Sequence, residues 1–206
     1  MRKQVKRFTL VEILMVTGMI CLLAALILVA YNGVYRSWAS KNTIATMKAA
    51  HLALDRYMLE NGSYPVQAWD TDEDGYLRFN TTSSDPAIIK LAKDLCQSCK
   101  PFCFTHRIGS NTMVTVYDDF GSKPSSENNF SGYQAIHYVF PYHDTNTFAL
   151  MSRGMDGEWD TPDDIIYLPN GHPSNPTLKP GFYMCDVSTV NGGIPTNSND
   201  IEPLAQ

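Results

Sequence analysis

Residues 6–31 read KRFTLVEILMVTGMICLLAALILVAY, and the fold turns on this stretch. From Ile13 to Tyr31 there are 19 residues without a charge. As a helix they extend roughly 28 Å, about the thickness of a bilayer's hydrocarbon core. Ahead of them, Arg2, Lys3, Lys6 and Arg7 give residues 1–7 four bases and no acid. Bases that precede an apolar run stay on the cytoplasmic side, which sends the rest of the chain outward. The rival reading is a cleaved secretory signal. The run exceeds the roughly 7–15 apolar residues of a signal core, and no Ala-x-Ala-like site closes it. Glu12 stands at the cytoplasmic edge of the run, where an ionised carboxylate is costly unless it reaches the interface or meets a cation. It is either a tolerated interfacial charge near Arg7 or a carboxylate awaiting a partner charge.

Beyond the apolar run the helical pattern continues. Ile44, Met47, His51, Leu54 and Met58 follow the 3–4 spacing of one helix face. Ala45, Ala49, Ala50 and Ala53 favour the helix. Asn61-Gly62 supplies a stop, Tyr64-Pro65 turns the chain extended, and Asn32-Gly33 marks a bend. The stripe should dock on a sheet, with His51 a satisfied core or edge histidine rather than a ligand. Asp85 is the expected N-cap of a short second helix over Pro86–Leu95. Met113–Tyr117, Tyr133–Tyr142, Thr147–Ser152 and Phe182–Val187 read as strands, the middle two as a hairpin. Residues 191–206 read as a disordered tail. With 206 residues, 44% of them hydrophobic and 18% charged, the chain can bury an ordinary core and is neither fibrous nor wholly disordered. From Asn32 onward 12 Lys and Arg face 20 Asp and Glu, a balance near −8 that repels phosphate backbones, so nucleic acid is not an expected partner.

Two clusters carry metal or redox chemistry. Cys96, Cys99, Cys103 and Cys185 lie beyond the membrane run, where oxidation is favoured, and four cysteines allow three disulfide connectivities. A cramped zinc set of Cys96, Cys99, Cys103 and His106 is the alternative, free thiols the third. Cys21, inside the apolar run, reads as a small apolar residue. Asp70–Gly75 begins like a calcium loop, but Thr81 stands where the bidentate carboxylate belongs, so it reads as a solvated acidic turn. In Ser152–Ile165, Asp156, Glu158, Asp160, Asp163 and Asp164 place five carboxylates within nine residues with no base among them. Such density calls for solvent or a cation. An oxygen-rich, Gly-punctuated loop without His or Cys suits calcium. The alternative is a solvated hairpin tip. The chain shows no phosphate-binding Gly-rich Lys-Ser/Thr loop, HExxH or nucleophile elbow, so a non-enzymatic role is expected.

The string KRFTLVEILMV, with the basic leader before it and the apolar helix after, resembles the signature of type IV prepilins and type II secretion pseudopilins. By that resemblance a peptidase cuts between Arg7, where the family usually has Gly, and Phe8, and methylates Phe8. Glu12 then pairs with a neighbouring subunit's N-terminus during assembly. Tyr57-Met58-Leu59-Glu60-Asn61-Gly62-Ser63-Tyr64-Pro65 looks like the end of the stalk helix in the major pseudopilin of type II secretion. Asp118–Pro124 looks like its Asp-x-Trp-Gly-x-Pro turn. Ser-x-Gly-x-Asp-Gly at 152–157 and Thr-x-Asp-Asp-Ile at 161–165 look like its calcium loop, which implies Asp156, Asp163 and Asp164 as ligands and Asp160 as a further one. Beyond Ile166 the chain departs from that pattern. The resemblance implies an α+β, pilin-like fold: a long N-terminal helix, half in the membrane and half packed as a stalk on a small antiparallel sheet with a calcium loop. Its parts would be a leader (1–7), an assembly helix (8–31), a stalk (32–62) and an extracytoplasmic domain (63–190). It implies a single pass through a bacterial inner membrane, with the N-terminus cytoplasmic and the domain periplasmic. The expected function is a structural subunit of a filament that drives protein export. Its partners would be further copies of itself, minor pseudopilins, an inner-membrane assembly platform and a prepilin peptidase. The alternatives are a type IV pilin of a surface fibre for adhesion, motility or DNA uptake, or a membrane-anchored calcium-binding module.

Overall fold

The computed structural model describes residues 9–66, 75–108, 110–120, 134–142, 145–158, 161, 163–171, 179–185 and 201–203. The chain divides into two units, 1–38 and 39–206. A helix, α1 (Leu10–Asn61), supplies the first unit and opens the second. It stays helical through Asn32-Gly33, where the sequence marked a bend.

In the first unit the helix begins with a capping box. Glu12 Oε2 accepts from Thr9 N at 2.8 Å and from Thr9 Oγ1 at 2.9 Å, and Glu12 N donates to Thr9 Oγ1 at 3.3 Å. Thr9 at the N-cap and Glu12 three residues on thereby satisfy amides that the first turn leaves without carbonyls. No described side chain between Thr9 and Trp38 is buried, and the apolar ones stand open: Leu14 is 66% exposed and Leu26 60%. The helix is long and apolar enough to cross a membrane.

In the second unit α1 turns one face onto a core. Ala39, Met47, Ala50 and Leu54 are fully buried, and Ile44 and Met58 pack beside them. The 3–4 stripe is therefore a docking face. It ends where Gly62, at φ 82°, closes an αL cap with its amide on Met58 O at 2.7 Å. Tyr64 folds back to donate to Asp55 Oδ1 at 2.9 Å and packs on Phe148. His51 bonds Asp55 through Nε2 at 2.9 Å and Tyr167 OH through Nδ1 at 2.7 Å, the satisfied edge histidine expected.

The rest of this unit is two antiparallel sheets and a short helix. β1 (Arg78–Asn80), β2 (Cys103–Ile108) and β3 (Asn111–Val116) form one sheet in the order β1-β3-β2. Helix α2 (Pro86–Ser98) is capped by Asp85, whose Oδ1 accepts from Ala87 N at 2.8 Å. β4 (His137–Val139), β5 (Ala149–Ser152), β6 (Ile165–Leu168), β7 (Gly181–Cys185) and β8 (Ile201–Pro203) form the second sheet in sequential order. The segment 134–138 joins the two: Ile136 N bonds Val116 O at 2.9 Å and Leu77 N bonds Ile136 O at 2.6 Å. Both sheets contribute to one core, Val114 and Val116 from the first and Ile136, Phe148, Leu150 and Ile165 from around the second.

Two expectations are corrected here. Among the described residues of the strand expected over Tyr133–Tyr142, His137–Val139 is regular, and Pro141, which has no amide to give a ladder, limits its far end. The tail expected to be disordered contributes Ile201–Pro203 as the edge strand β8, with Cys185 opposite Ile201. The acidic stretch Asp70–Asp74 lies outside the described residues.

Candidate metal centre

β5 ends at Ser152 and β6 begins at Ile165, and these two residues pair directly. The acidic segment between them leaves the sheet and returns at the same rung. Its ends pass so closely that a Cβ on Gly154, at φ 65°, would lie 2.5 Å from Asp163 O. Only glycine fits there. The crossing lets Met155 N donate to Asp163 Oδ2 at 2.5 Å, while Asp156 Oδ1 accepts from Glu158 N at 2.9 Å.

The three carboxylates of Asp156, Asp163 and Asp164 thereby converge, with one oxygen of each within 4.8 Å of the others. Thr161 Oγ1 sits among them, 2.8 Å from Asp163 Oδ1, 3.2 Å from Asp156 Oδ1 and 3.3 Å from Asp164 Oδ1. A hydroxyl has one proton and satisfies one of these acceptors at a time. Two charges at such a spacing repel by about 3 kcal/mol at an effective dielectric constant near 20. Asp164 is buried and Asp163 half-buried, so solvent screens them only in part. Burial alone would raise the Asp163 carboxyl, but bonds from Thr161 and from the amides of Met155 and Asp156 outweigh it and leave it below its ordinary value. These donors therefore hold the Asp163 carboxylate ionised. Converging anionic oxygens with no His or Cys can hold a hard metal ion, and Thr161 Oγ1 would add a neutral oxygen ligand.

A surrounding layer fixes the loop. The Gln134 side chain brackets it, donating to Gly154 O at 2.5 Å and accepting from Gly157 N at 2.9 Å. Ser152 Oγ donates to buried Asp118 Oδ2 at 2.5 Å, and Asp118 N bonds Gln134 O at 3.0 Å. Asp119 ties this assembly to α1, accepting from Asn42 Nδ2 at 2.9 Å and donating its amide to Thr43 Oγ1 at 3.1 Å. The turn expected at Asp118-Asp119 is thus a buried anchor.

Of the residues expected to act, Asp156, Asp163 and Asp164 are brought together, while Arg7, Phe8 and Asp160 lie outside the described residues. Glu12 caps its helix through Oε2. Thr161 and Gln134 were not expected. Thr161 had a visible signal, a hydroxyl beside two aspartates; Gln134 had none. Cys96, Cys99 and Cys103 gather between α2 and β2 as thiols. His106 does not join them: strand alternation puts it on the opposite face of β2 from Cys103, 3.5 Å from Thr115 Oγ1, so the four-ligand zinc set does not form. Cys185 closes β7, and its side chain lies outside the described atoms.

No protein-family model matches the chain, and no curated protein and no solved structure matches it.

Proposed function

We propose that this chain is a structural pseudopilin subunit that assembles through its N-terminal helix into a periplasmic filament of a type II secretion-like system. The observation that carries the reading is the open apolar surface of α1 before Trp38, which nothing described in the chain covers. Such a surface needs lipid before assembly and neighbouring helices after it. A capped start with the Glu12 carboxylate in the first turn supports a role at the helix end. Its Oε2 takes both bonds from Thr9, and a neighbouring subunit's N-terminal amine would be a fitting charge partner there. The subunit has a mechanical role: copies add by one repeated head-to-tail contact, and growth pushes cargo outward. The triad of Asp156, Asp163 and Asp164 would hold calcium as a structural ion that pins the β5–β6 connection.

Charge reversal at Glu12 tests the reading. Glu12→Lys should leave the subunit in the membrane at normal abundance and abolish filaments sheared or imaged from overexpressing cells. Normal filaments from the variant would overturn assembly through this carboxylate. Filaments reaching the cell surface at native expression, with export unaffected by deletion, would turn the reading to a surface pilin.

A further inference from the structure

We propose that Cys96 and Cys103 are a disulfide-forming pair that ties the end of α2 to the start of β2, with Cys99 kept as a thiol. Cys96 lies in the last turn of α2, and Cys99 is its C-cap. Phe102 N then bonds Cys99 O at 2.8 Å, reversing the chain so that Cys103 opens β2 against Val116. The reversal folds Cys103 back toward the end of α2 that carries Cys96: Cys103 lies in the buried cluster, and Cys96 packs against that cluster. Cys99 is committed elsewhere: it is 1% exposed and its Sγ donates to Thr46 O of α1 at 3.8 Å.

Exposure orders the steps. Burial, with the neighbouring cysteine sulfurs, pushes the Cys99 thiol up to about 12 and the Cys103 thiol higher still. Both remain protonated near neutral pH, and half-exposed Cys96 is the one a solution oxidant reaches. The Cys96 thiolate attacks one sulfur of an external disulfide, either oxidised glutathione or a dithiol–disulfide oxidase, and expels its other sulfur as a thiolate. Cys103 loses its proton and attacks the Cys96 sulfur of the mixed disulfide, expelling the second thiol. The donor gains two electrons and two protons, and the chain gains one S–S bond. The bond would close the turn 96–103. Residues 98–102 of that turn wall a cleft of about 270 Å³ whose other side is α1 at Asn42, Thr46 and Ala49. Oxidation would therefore stiffen one wall of the cleft. Its occurrence in the cell rests on the extracytoplasmic placement of this domain.

The test uses the full chain purified in detergent from its native membrane, with free thiols alkylated before lysis. Cleavage after Phe102 separates Cys103 from Cys96 and Cys99. The expected result is a Cys96–Cys103 cross-linked peptide pair that parts on reduction. It should survive in Cys99→Ala and vanish in Cys96→Ser and Cys103→Ser. Reduction should lower the wild-type Tm by about 5–10 °C and leave that of Cys96→Ser unchanged. A parallel oxidation of reduced protein with glutathione disulfide separates the two premises. A link formed there and absent from the native sample overturns the placement and leaves the pairing standing. A link through Cys99 or Cys185, or no link in either sample, overturns the pairing.

Discussion

Thr161 shows how one atom can reveal a charge imbalance. Its hydroxyl stands within 3.3 Å of three carboxylates and can quiet one of them. Asp163→Asn should weaken calcium binding by more than about 100-fold, because it removes a charged ligand, and Thr161→Val by about 10–100-fold, the loss typical of a supporting group. Titration calorimetry on the purified chain measures both, and equal affinity in wild type and Asp163→Asn would exclude this loop as the site. A second residue-scale prediction concerns two buried histidines. Burial, and then the Arg153 guanidinium beside it, pulls His137 down to about 3. Burial, and then Arg78, pulls His106 down to about 4. Above pH 6.5 both are neutral, folded or unfolded. Below it the unfolded chain takes up two protons that the folded chain refuses, so stability falls as pH drops from 6.5 toward 4. Each histidine contributes about 1.4 kcal/mol per pH unit, or about 4 kcal/mol for the pair at pH 5. Urea midpoints from pH 7.5 to 4.5 should fall more steeply in wild type than in His137→Gln. Parallel curves would show that His137 titrates when folded.

At the scale of elements, α1 is held to β6 through polar as well as apolar contact. Tyr167 OH bonds His51 Nδ1, and His51 Nε2 faces Asp55, so the imidazole is satisfied at both nitrogens. Tyr167→Phe should cost about 1 kcal/mol, a Tm decrease of about 2–4 °C, and His51→Gln should not add a second loss of that size. Fully additive losses in the double variant would mean that the two side chains act separately. The elements differ in how far the sequence announces them. The docking stripe, the Asp85 cap and the Gly62 stop are local and therefore legible: each needs only periodicity or one capping side chain. The capping box at Thr9 and Glu12 was equally local, yet it lay under the question of what charge Glu12 meets. β2 was not legible, since Cys-Phe-Thr-His-Arg-Ile lacks an apolar alternation and becomes a strand through its register with β3. Asp118 and Asp119 read as a turn, and their anchoring role was not legible because their partners, Ser152, Asn42 and Thr43, are distant in sequence. The acidic loop was legible as a cluster because its converging carboxylates, Asp156, Asp163 and Asp164, are neighbours in sequence. Its bracket, Gln134, was not, because that contact exists only after β4 and β5 pair.

For the molecule as a whole, the question is what solvates the helix before Trp38. From Ile13 to Tyr31 ten residues are Leu, Ile or Val, each favouring the membrane centre by about 0.3–0.6 kcal/mol. Together they contribute roughly 3–6 kcal/mol toward insertion, with no charged side chain in the run to oppose it. Glu12 lies outside this run, with one carboxylate oxygen already hydrogen-bonded by Thr9, so it can stay at the interface. The full chain should therefore remain in the membrane pellet after washes with high salt and with alkaline carbonate, which release proteins held by charge or by peripheral contact. Replacing Leu22 and Leu23 by Arg would cost about 5–7 kcal/mol at the helix centre and should move the chain to the soluble fraction or prevent its accumulation. The second unit has its own core, so a chain starting at Ala39 should be soluble, and its calcium titration should match that of the full chain. Release of the full-length chain by carbonate would mean that the apolar helix is covered by protein rather than lipid. A shortened chain in the soluble fraction of the wild-type strain, with its N-terminus beyond Tyr31, would mean that the run is a signal removed after export. Either result would leave the domain that carries the acidic loop intact and take away the proposed filament.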